Sequence, residues 1–204
     1  FNEKQSLKND KDLPKEIFGI LLPPKKPLIV KKQTLRTVKK TRYYSERDFE
    51  FAKLAIRFME KSNWKDAKNT AKKARAQSIY DFIEWRHLLT SGNKATFSEY
   101  KRFIERVKDY PRFDRIKYLA EHKINLQNHS PTEIINWFQN NEPLSGYGKI
   151  MLGESLIKTG KSDDGIRLIK EGFINADLNT NNLKYFRKKF KNILDTSDYI
   201  NRAD

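Results

Sequence analysis

From Ser45 to the end of the chain, apolar side chains return every three or four positions and polar ones fill the gaps. That period belongs to amphipathic helices rather than strands. Ser45 is a cap for ERDFEFAKLAIRFMEKSN, with Phe49, Ala52, Leu54, Ala55 and Phe58 on one side. Ser62-Asn63 breaks the pattern, and Trp64, Ala67, Ala71 and Ala74 resume it as a second helix whose small residues permit close packing. Ser78 is the expected cap of IYDFIEWRHLL, where Ile79, Phe82, Ile83, Trp85 and Leu88 are core candidates. After the Thr90–Asn93 turn, Phe97, Tyr100, Phe103, Ile104 and Val107 mark a fourth helix that Tyr110-Pro111 ends. Phe113, Ile116, Leu119, Ala120 and Ile124 mark a fifth.

The sixth and seventh helices flank a sharp corner. Ser130, Pro131 and Glu133 are the N-cap, first-turn proline and capping-box acid of a helix carrying Ile134, Ile135, Trp137 and Phe138. Such a cap is worth about 1 kcal/mol. The run Asn140–Pro143 stops that helix, because proline disfavours the helical conformation of the residue before it. Gly146 and Gly148 allow close backbone approach at the corner. Ile150, Met151, Leu152, Leu156 and Ile157 form the next stripe, with Gly160 as its C-terminal stop. Gly165 to Ile174, entered through Ser162, and Leu183 to Leu194 give an eighth and a ninth, and Thr196 or Ser197 is placed to cap a tenth. Alternate helices begin near Ser45, Ser78, Arg112, Ser145 and Thr180, a recurrence of about 33 to 35 residues, the length of a helix-turn-helix repeat. The expected fold is all-α: a right-handed superhelix, or α-solenoid, of stacked hairpins, about nine to ten helices over residues 45–204.

Residues 1–44 read differently. Pro14, Pro23, Pro24 and Pro27 prevent a long helix, and eight Lys and Arg lie between Lys25 and Arg42 with no acid among them. Like charges keep such a segment extended, so a Pro/Lys-rich arm or linker is expected, either binding a polyanion or simply solvated.

Composition narrows the function. The 204 residues are 37% hydrophobic and 12% aromatic, enough for a substantial core. The absence of cysteine removes disulfides, thiolate metal sites and thiol nucleophiles together. Forty-two Lys and Arg against 26 Asp and Glu leave a net charge of +16, a field that favours nucleic acid, an anionic membrane surface or acidic cell-wall polymer. The excess is mostly Lys, accompanied by many Asn and Ile, a triad that AT-rich coding produces without selection for binding. No run reaches the roughly 18 apolar residues a membrane span needs.

Candidate chemistry is sparse. His87, His122 and His129 lack the spacing of a helical metal site, and no HExxH, P-loop or GxSxG is present. GYGKIMLG at Gly146–Gly153 follows a helix and lacks a dinucleotide fingerprint's third glycine. No catalytic, cofactor-binding or metal-binding residue is therefore assigned, and no cofactor. Trp64, Trp85 and Trp137 fall about one to a hairpin, and core packing is the expectation over sugar-stacking platforms. Two basic clusters, Lys65 to Arg75 and Lys184 to Lys191, read as the wet faces of amphipathic helices.

The order of these landmarks resembles the N-terminal α-superhelical region of the soluble lytic transglycosylase family. LPPKKP at Leu22–Pro27 resembles its lead-in, and NWKDA at Asn63–Ala67 a helix start. Trp85 with Leu88 follows, then Phe97, Glu99, Tyr100 and Phe103 of an F-x-E-Y-x-x-F helix. Pro111 with Ala120-Glu121 comes next, then Trp137-Phe138, Pro143, Gly146 and Gly148, and finally Leu194, Asp198, Arg202 and Asp204. Tyr199 stands where the family usually has His, and Phe173 where Trp is common.

The resemblance implies a periplasmic, envelope-located protein whose superhelix guides peptidoglycan glycan strands to a separate lysozyme-like domain. There one Glu, acting as acid and then base, cleaves the MurNAc–GlcNAc β-1,4 bond, and the muramyl product closes to a 1,6-anhydro ring; the sugar's own hydroxyl replaces water, unlike the two-carboxylate hydrolytic scheme. That domain lies outside this sequence, so a truncated chain or fragment is expected. Glu154-Ser155 mimics the family's catalytic pair but reads as helix surface. Nucleic acid is the less expected partner. The alternatives are an α-solenoid protein-interaction module and a basic helical nucleic-acid binder.

Overall fold

In the computed structural model, which describes residues 16–17, 20–21, 43–139 and 142–203, the chain is all-helical from its first cap onward. The Ser45 hydroxyl accepts from Asp48 N at 3.1 Å and opens α1, Glu46–Glu60. Asn63 caps α2, Trp64–Ala71, and α3 runs Gln77–Leu89. Thr96 and Glu99 form a complete capping box on α4, Phe97–Arg106. Then come α5, Phe113–Glu121, α6, Pro131–Phe138, and α7, Gly146–Lys158. The last three are α8, Ser162–Asn175, α9, Thr180–Lys189, and α10, Thr196–Ala203. Among the described residues the other regular element is a two-residue antiparallel ladder, Glu16–Ile17 with Ile20–Leu21. It belongs to a separate unit, 1–40, distinct from the helical unit, 41–204. The remainder of the Pro/Lys-rich arm and the LPPKKP lead-in lie outside the described residues.

Within the helical unit, consecutive helices pack together from α1 through α5, α6 packs on α7 and α7 on α8, and the alternate pairs α1 with α3, α3 with α5 and α8 with α10 pack as well. Two apolar clusters result. A small one joins Ala55, Ala67, Ala71, Ile79 and Ile83 of α1, α2 and α3. A larger one runs from Leu88 through Phe97, Phe103, Ile116, Ile134, Ile150 and Phe173 to Leu194. Glycine sets the tightest junction. A Cβ on Gly153 would stand 2.6 Å from the Gly165 carbonyl oxygen, and one on Gly172 would stand 2.5 Å from that of Gly146. Helices α7 and α8 thus lie antiparallel with their backbones in contact, a distance only residues without a side chain permit.

Several local expectations are corrected. Ser78 does not cap α3: Ala76 takes the N-cap position without a side-chain bond, and the Ser78 hydroxyl meets Tyr44 Oη at 3.1 Å. Leu54 and Phe82 are exposed, because the α1–α3 cluster is filled by small side chains and covers only a narrow stripe of each helix. The Ser130 cap forms, but the Glu133 carboxylate turns to His129 and Lys101 rather than closing the box.

Candidate functional site

A cleft of about 800 Å³ opens between α2, α3 and the start of α4. Trp64 and Lys68 come from α2, Tyr80, Glu84 and His87 from α3, and Glu99 and Arg102 from α4. The Thr90–Ala95 turn forms its rim. Gly92, at φ +69°, makes this turn possible. Asn93 then holds it: its amide nitrogen donates to Leu88 O, Thr90 O and Tyr100 Oη at 2.8 to 3.1 Å, and its oxygen accepts from Ala95 N. Tyr100, fully buried, donates to Leu88 O at 2.7 Å. The rim is thereby tied to the core rather than free to collapse into the cleft.

Aromatic and charged groups share the lining. The Trp64 and His87 rings lie 5.0 Å apart. His87 is buried, and its Nδ1 has no hydrogen-bond partner among the described residues. Burial, reinforced by the Lys68 ammonium, pushes its pKa below the usual histidine value, so it stands neutral. Lys68 meets Glu99 at 3.1 Å. Burial works against ionisation of Glu99, but hydrogen bonds from Thr96 together with Lys68 hold its carboxyl below the usual range. Tyr80 donates to Glu84 at 3.2 Å, and Glu84 is paired with Arg106 at 2.5 Å. Burial and the neighbouring Glu84 charge raise the Tyr80 hydroxyl to about 12. Lys72 and Arg106 both lie over the Tyr80 ring, at 5.4 and 5.5 Å. Both carboxylates of the cleft are engaged by cations, Glu84 by Arg106 and Glu99 by Lys68.

A second cavity, about 280 Å³, lies between α7 and α9 and is lined by Tyr147, Met151, Glu154, Lys158, Tyr185 and Lys189. Here Glu154-Ser155 departs from the sequence expectation of a helix surface: both residues are buried. Glu154 is covered by a side chain from α9. Lys189 reaches across to Glu154 at 2.6 Å, Lys158 approaches it at 3.4 Å, and the Ser155 hydroxyl turns back to Met151 O at 2.8 Å. Glu154 is thus ion-paired with two lysines.

The three tryptophans are neither buried core nor free platforms. Each is half-buried at a helix junction. Trp85 donates its indole N–H to Pro111 O at 2.8 Å, Trp137 stands edge-on to Phe97 at 5.3 Å, and Trp64 lines the large cleft. His122 stacks on Tyr147 at 5.4 Å and His129 faces Glu133 at 3.4 Å. Of the basic clusters, Lys68 and Lys189 are drawn into ion pairs, while Lys65, Lys72, Lys73, Lys184, Lys188 and Lys191 are exposed. Sequence reasoning missed Glu84, His87, Glu99 and Arg102 as a group. One signal was available: Glu84 and His87 interrupt the apolar face between Ile83 and Leu88, where a purely structural helix carries hydrophobes.

No described helix is long and apolar enough to cross a membrane. The chain matches no protein-family model, no curated protein and no solved structure.

Proposed function

We propose that the chain is the non-catalytic superhelical portion of a peptidoglycan lytic transglycosylase, a right-handed solenoid of stacked hairpins in the bacterial periplasm. It guides glycan strands to a separate lysozyme-like domain that produces 1,6-anhydro-muropeptides. The observation that carries this reading is that landmarks distant in sequence meet in space. The Glu121 carboxylate of the Ala-Glu pair accepts from Leu144 N and Ser145 N, both at 2.7 Å, and from the Ser145 hydroxyl at 2.5 Å, at the Pro/Gly corner. A Cβ on Gly148 would stand 2.4 Å from the same carboxylate, so the corner glycine and the acid require one another. Trp85 binds the Pro111 carbonyl. Arg202 donates to the carbonyls of Phe173 and Ala176 and ties α10 to the end of α8. Such interlocks give the landmark order a physical basis. The contacts between alternate helices suit stacked hairpins, and the aromatic, cationic cleft suits an amino-sugar polymer carrying acidic groups.

Net charge of +16 also favours a nucleic-acid binder, and one experiment separates the two. The purified chain is sedimented with insoluble peptidoglycan across a salt series, beside gel shifts with double-stranded DNA and RNA. Retention on peptidoglycan at moderate salt with weak nucleic-acid binding is expected. Binding to nucleic acid alone, falling steeply with salt as phosphate contacts require, would overturn the proposal.

A further inference from the structure

We propose that the cleft between α2 and the Thr90–Ala95 turn recognises the acidic peptide stem of peptidoglycan rather than its sugar backbone. The inference rests on the transglycosylase reading above and adds a specificity to it. Five cations line the cleft against two carboxylates, Glu84 and Glu99. Both acids are already engaged, Glu84 by Arg106 and Glu99 by Lys68. Lys65, Lys94 and Arg102 have no ion-pair partner among the described residues and are exposed along the opening. The lining therefore carries uncompensated positive charge. A strand of N-acetylated amino sugars is uncharged, because its amines are acetylated and its lactyl carboxyls are consumed in amide bonds to peptide. The peptide stem carries free carboxylates. Positive charge in a partly enclosed cleft selects the stem.

The size and spread of the lining agree. At about 800 Å³ the cleft exceeds what a single small anion fills and suits a short peptide. Its cations are distributed from Lys65 on α2 to Arg102 on α4 instead of converging on one point, as carboxylates separated along a peptide require. The Trp64 ring offers an apolar face for the peptide's aliphatic side chains.

Isothermal titration calorimetry of the whole chain tests this with three probes: a soluble disaccharide-tetrapeptide, the same disaccharide with its lactyl carboxyl capped as a primary amide in place of the peptide, and a DNA oligonucleotide as competitor. The variant Lys94→Glu/Arg102→Glu reverses two exposed charges of the cleft. Lys184→Glu/Lys188→Glu makes the same change on exposed positions of α9, and circular dichroism verifies that both fold. The disaccharide-tetrapeptide is expected to bind, with affinity falling about tenfold or more in the cleft variant and less than about twofold in the α9 control, as for a directly contacted charge. The peptide-free disaccharide is expected to bind about tenfold more weakly or not at all. Equal losses in both variants, equal affinity for the peptide-free sugar, or displacement by the oligonucleotide would each overturn the assignment. Peptidoglycan sedimentation separates the two levels of the argument. Retention that the cleft variant does not weaken leaves the transglycosylase reading standing and removes the stem site. Peptide-stem binding at the cleft without retention on peptidoglycan keeps the site and removes the glycan-guiding role.

Discussion

Phe173 and Tyr199 meet edge to face, with ring centroids 5.6 Å apart and planes at 80°. Under the proposed transglycosylase reading, these are the two positions that depart from the family's landmarks, Phe for the common Trp and Tyr for the usual His. Positions 26 residues apart along the chain are thus one contact in space. Cations bracket the pair: Arg202 lies over the Phe173 ring at 5.1 Å and Arg187 over the Tyr199 ring at 4.9 Å. A double-mutant cycle measures the coupling. Phe173→Ala is expected to cost about 3–5 kcal/mol, since the ring is fully buried. The Phe173–Tyr199 interaction itself is expected to contribute about 0.5–1.5 kcal/mol beyond burial. The double replacement Phe173→Trp/Tyr199→His is expected to lie closer to wild type in urea denaturation than the two single variants combined. Strict additivity would show that the positions vary independently.

The Glu121 clamp gives a second expectation. Burial pushes the Glu121 carboxyl up, and the hydrogen bonds from Ser145 and Leu144 offset that only in part. A carboxyl with a raised folded pKa binds its proton more tightly when folded. Its contribution to stability is complete below the ordinary glutamate value of 4.5 and is lost as pH rises through the raised folded value. Glu121→Gln removes this titration and presents an amide N–H₂ to backbone donors. It is expected to lower stability by about 1–3 kcal/mol, the cost of leaving a buried donor unpaired. The deficit relative to wild type should shrink as pH rises through that window. A deficit that grows with pH would mean that the hydrogen bonds to the ionised form outweigh burial.

How much of this was legible in the sequence depends on how local each signal is. Ser45, Ser130 and Ser145 announce helix starts because the cap bonds to a residue three positions on. Ser78 has the same chemistry but does not cap, since α3 already begins at Gln77, and its hydroxyl meets Tyr44, 34 positions away. Glu154-Ser155 looked like helix surface because nothing in MLGESLIKTG reveals that Lys189 will cover it from α9. The large cleft draws on three helices and a turn, so no window of sequence contains it. The glycines were legible only in part. The corner pair Gly146 and Gly148 stood out beside Pro143, whereas Gly153, Gly165 and Gly172 acquire meaning only once α7 and α8 are paired.

That pairing predicts opposite consequences for one substitution. Alanine is the better helix former by about 1 kcal/mol, so Gly→Ala inside a helix ordinarily stabilises. At Gly153 the new methyl would meet the Gly165 carbonyl at 2.6 Å, and at Gly165 it would meet that of Gly153 at 2.6 Å. Both obstacles are backbone, which yields only if the helices separate. Gly153→Ala and Gly165→Ala are each expected to cost about 1–3 kcal/mol despite the gain in propensity. A thermal melt in which either variant is stabilised would show that α7 and α8 tolerate a wider separation. Gly92→Ala supplies the contrast. Nothing lies within 4 Å of its new methyl, but φ is +69°, so its cost of about 1 kcal/mol comes from the left-handed backbone alone.

Histidine burial makes the fold sensitive to mild acid. His87 and His122 both have pKa values pushed below 6.5, in each case chiefly by burial, with Lys68 adding to the effect at His87 and Arg115 at His122. Each has a buried ring nitrogen without a partner among the described residues, Nδ1 in His87 and Nε2 in His122. A base with a depressed folded pKa binds protons more readily when unfolded. Its contribution is therefore present above 6.5 and is lost as pH falls from there through the folded value. The urea midpoint is expected to fall as the pH drops below 6.5, and His87→Phe/His122→Phe is expected to flatten that limb whatever its effect at neutral pH. His87 also lines the large cleft beside Lys68 and Trp64. A bound carboxylate there favours the protonated imidazole and raises its pKa. Repeating the titration with the disaccharide-tetrapeptide present should flatten the acid limb in the wild type, because the folded value moves back toward 6.5, and leave it unchanged in Lys94→Glu/Arg102→Glu if that variant no longer holds the ligand.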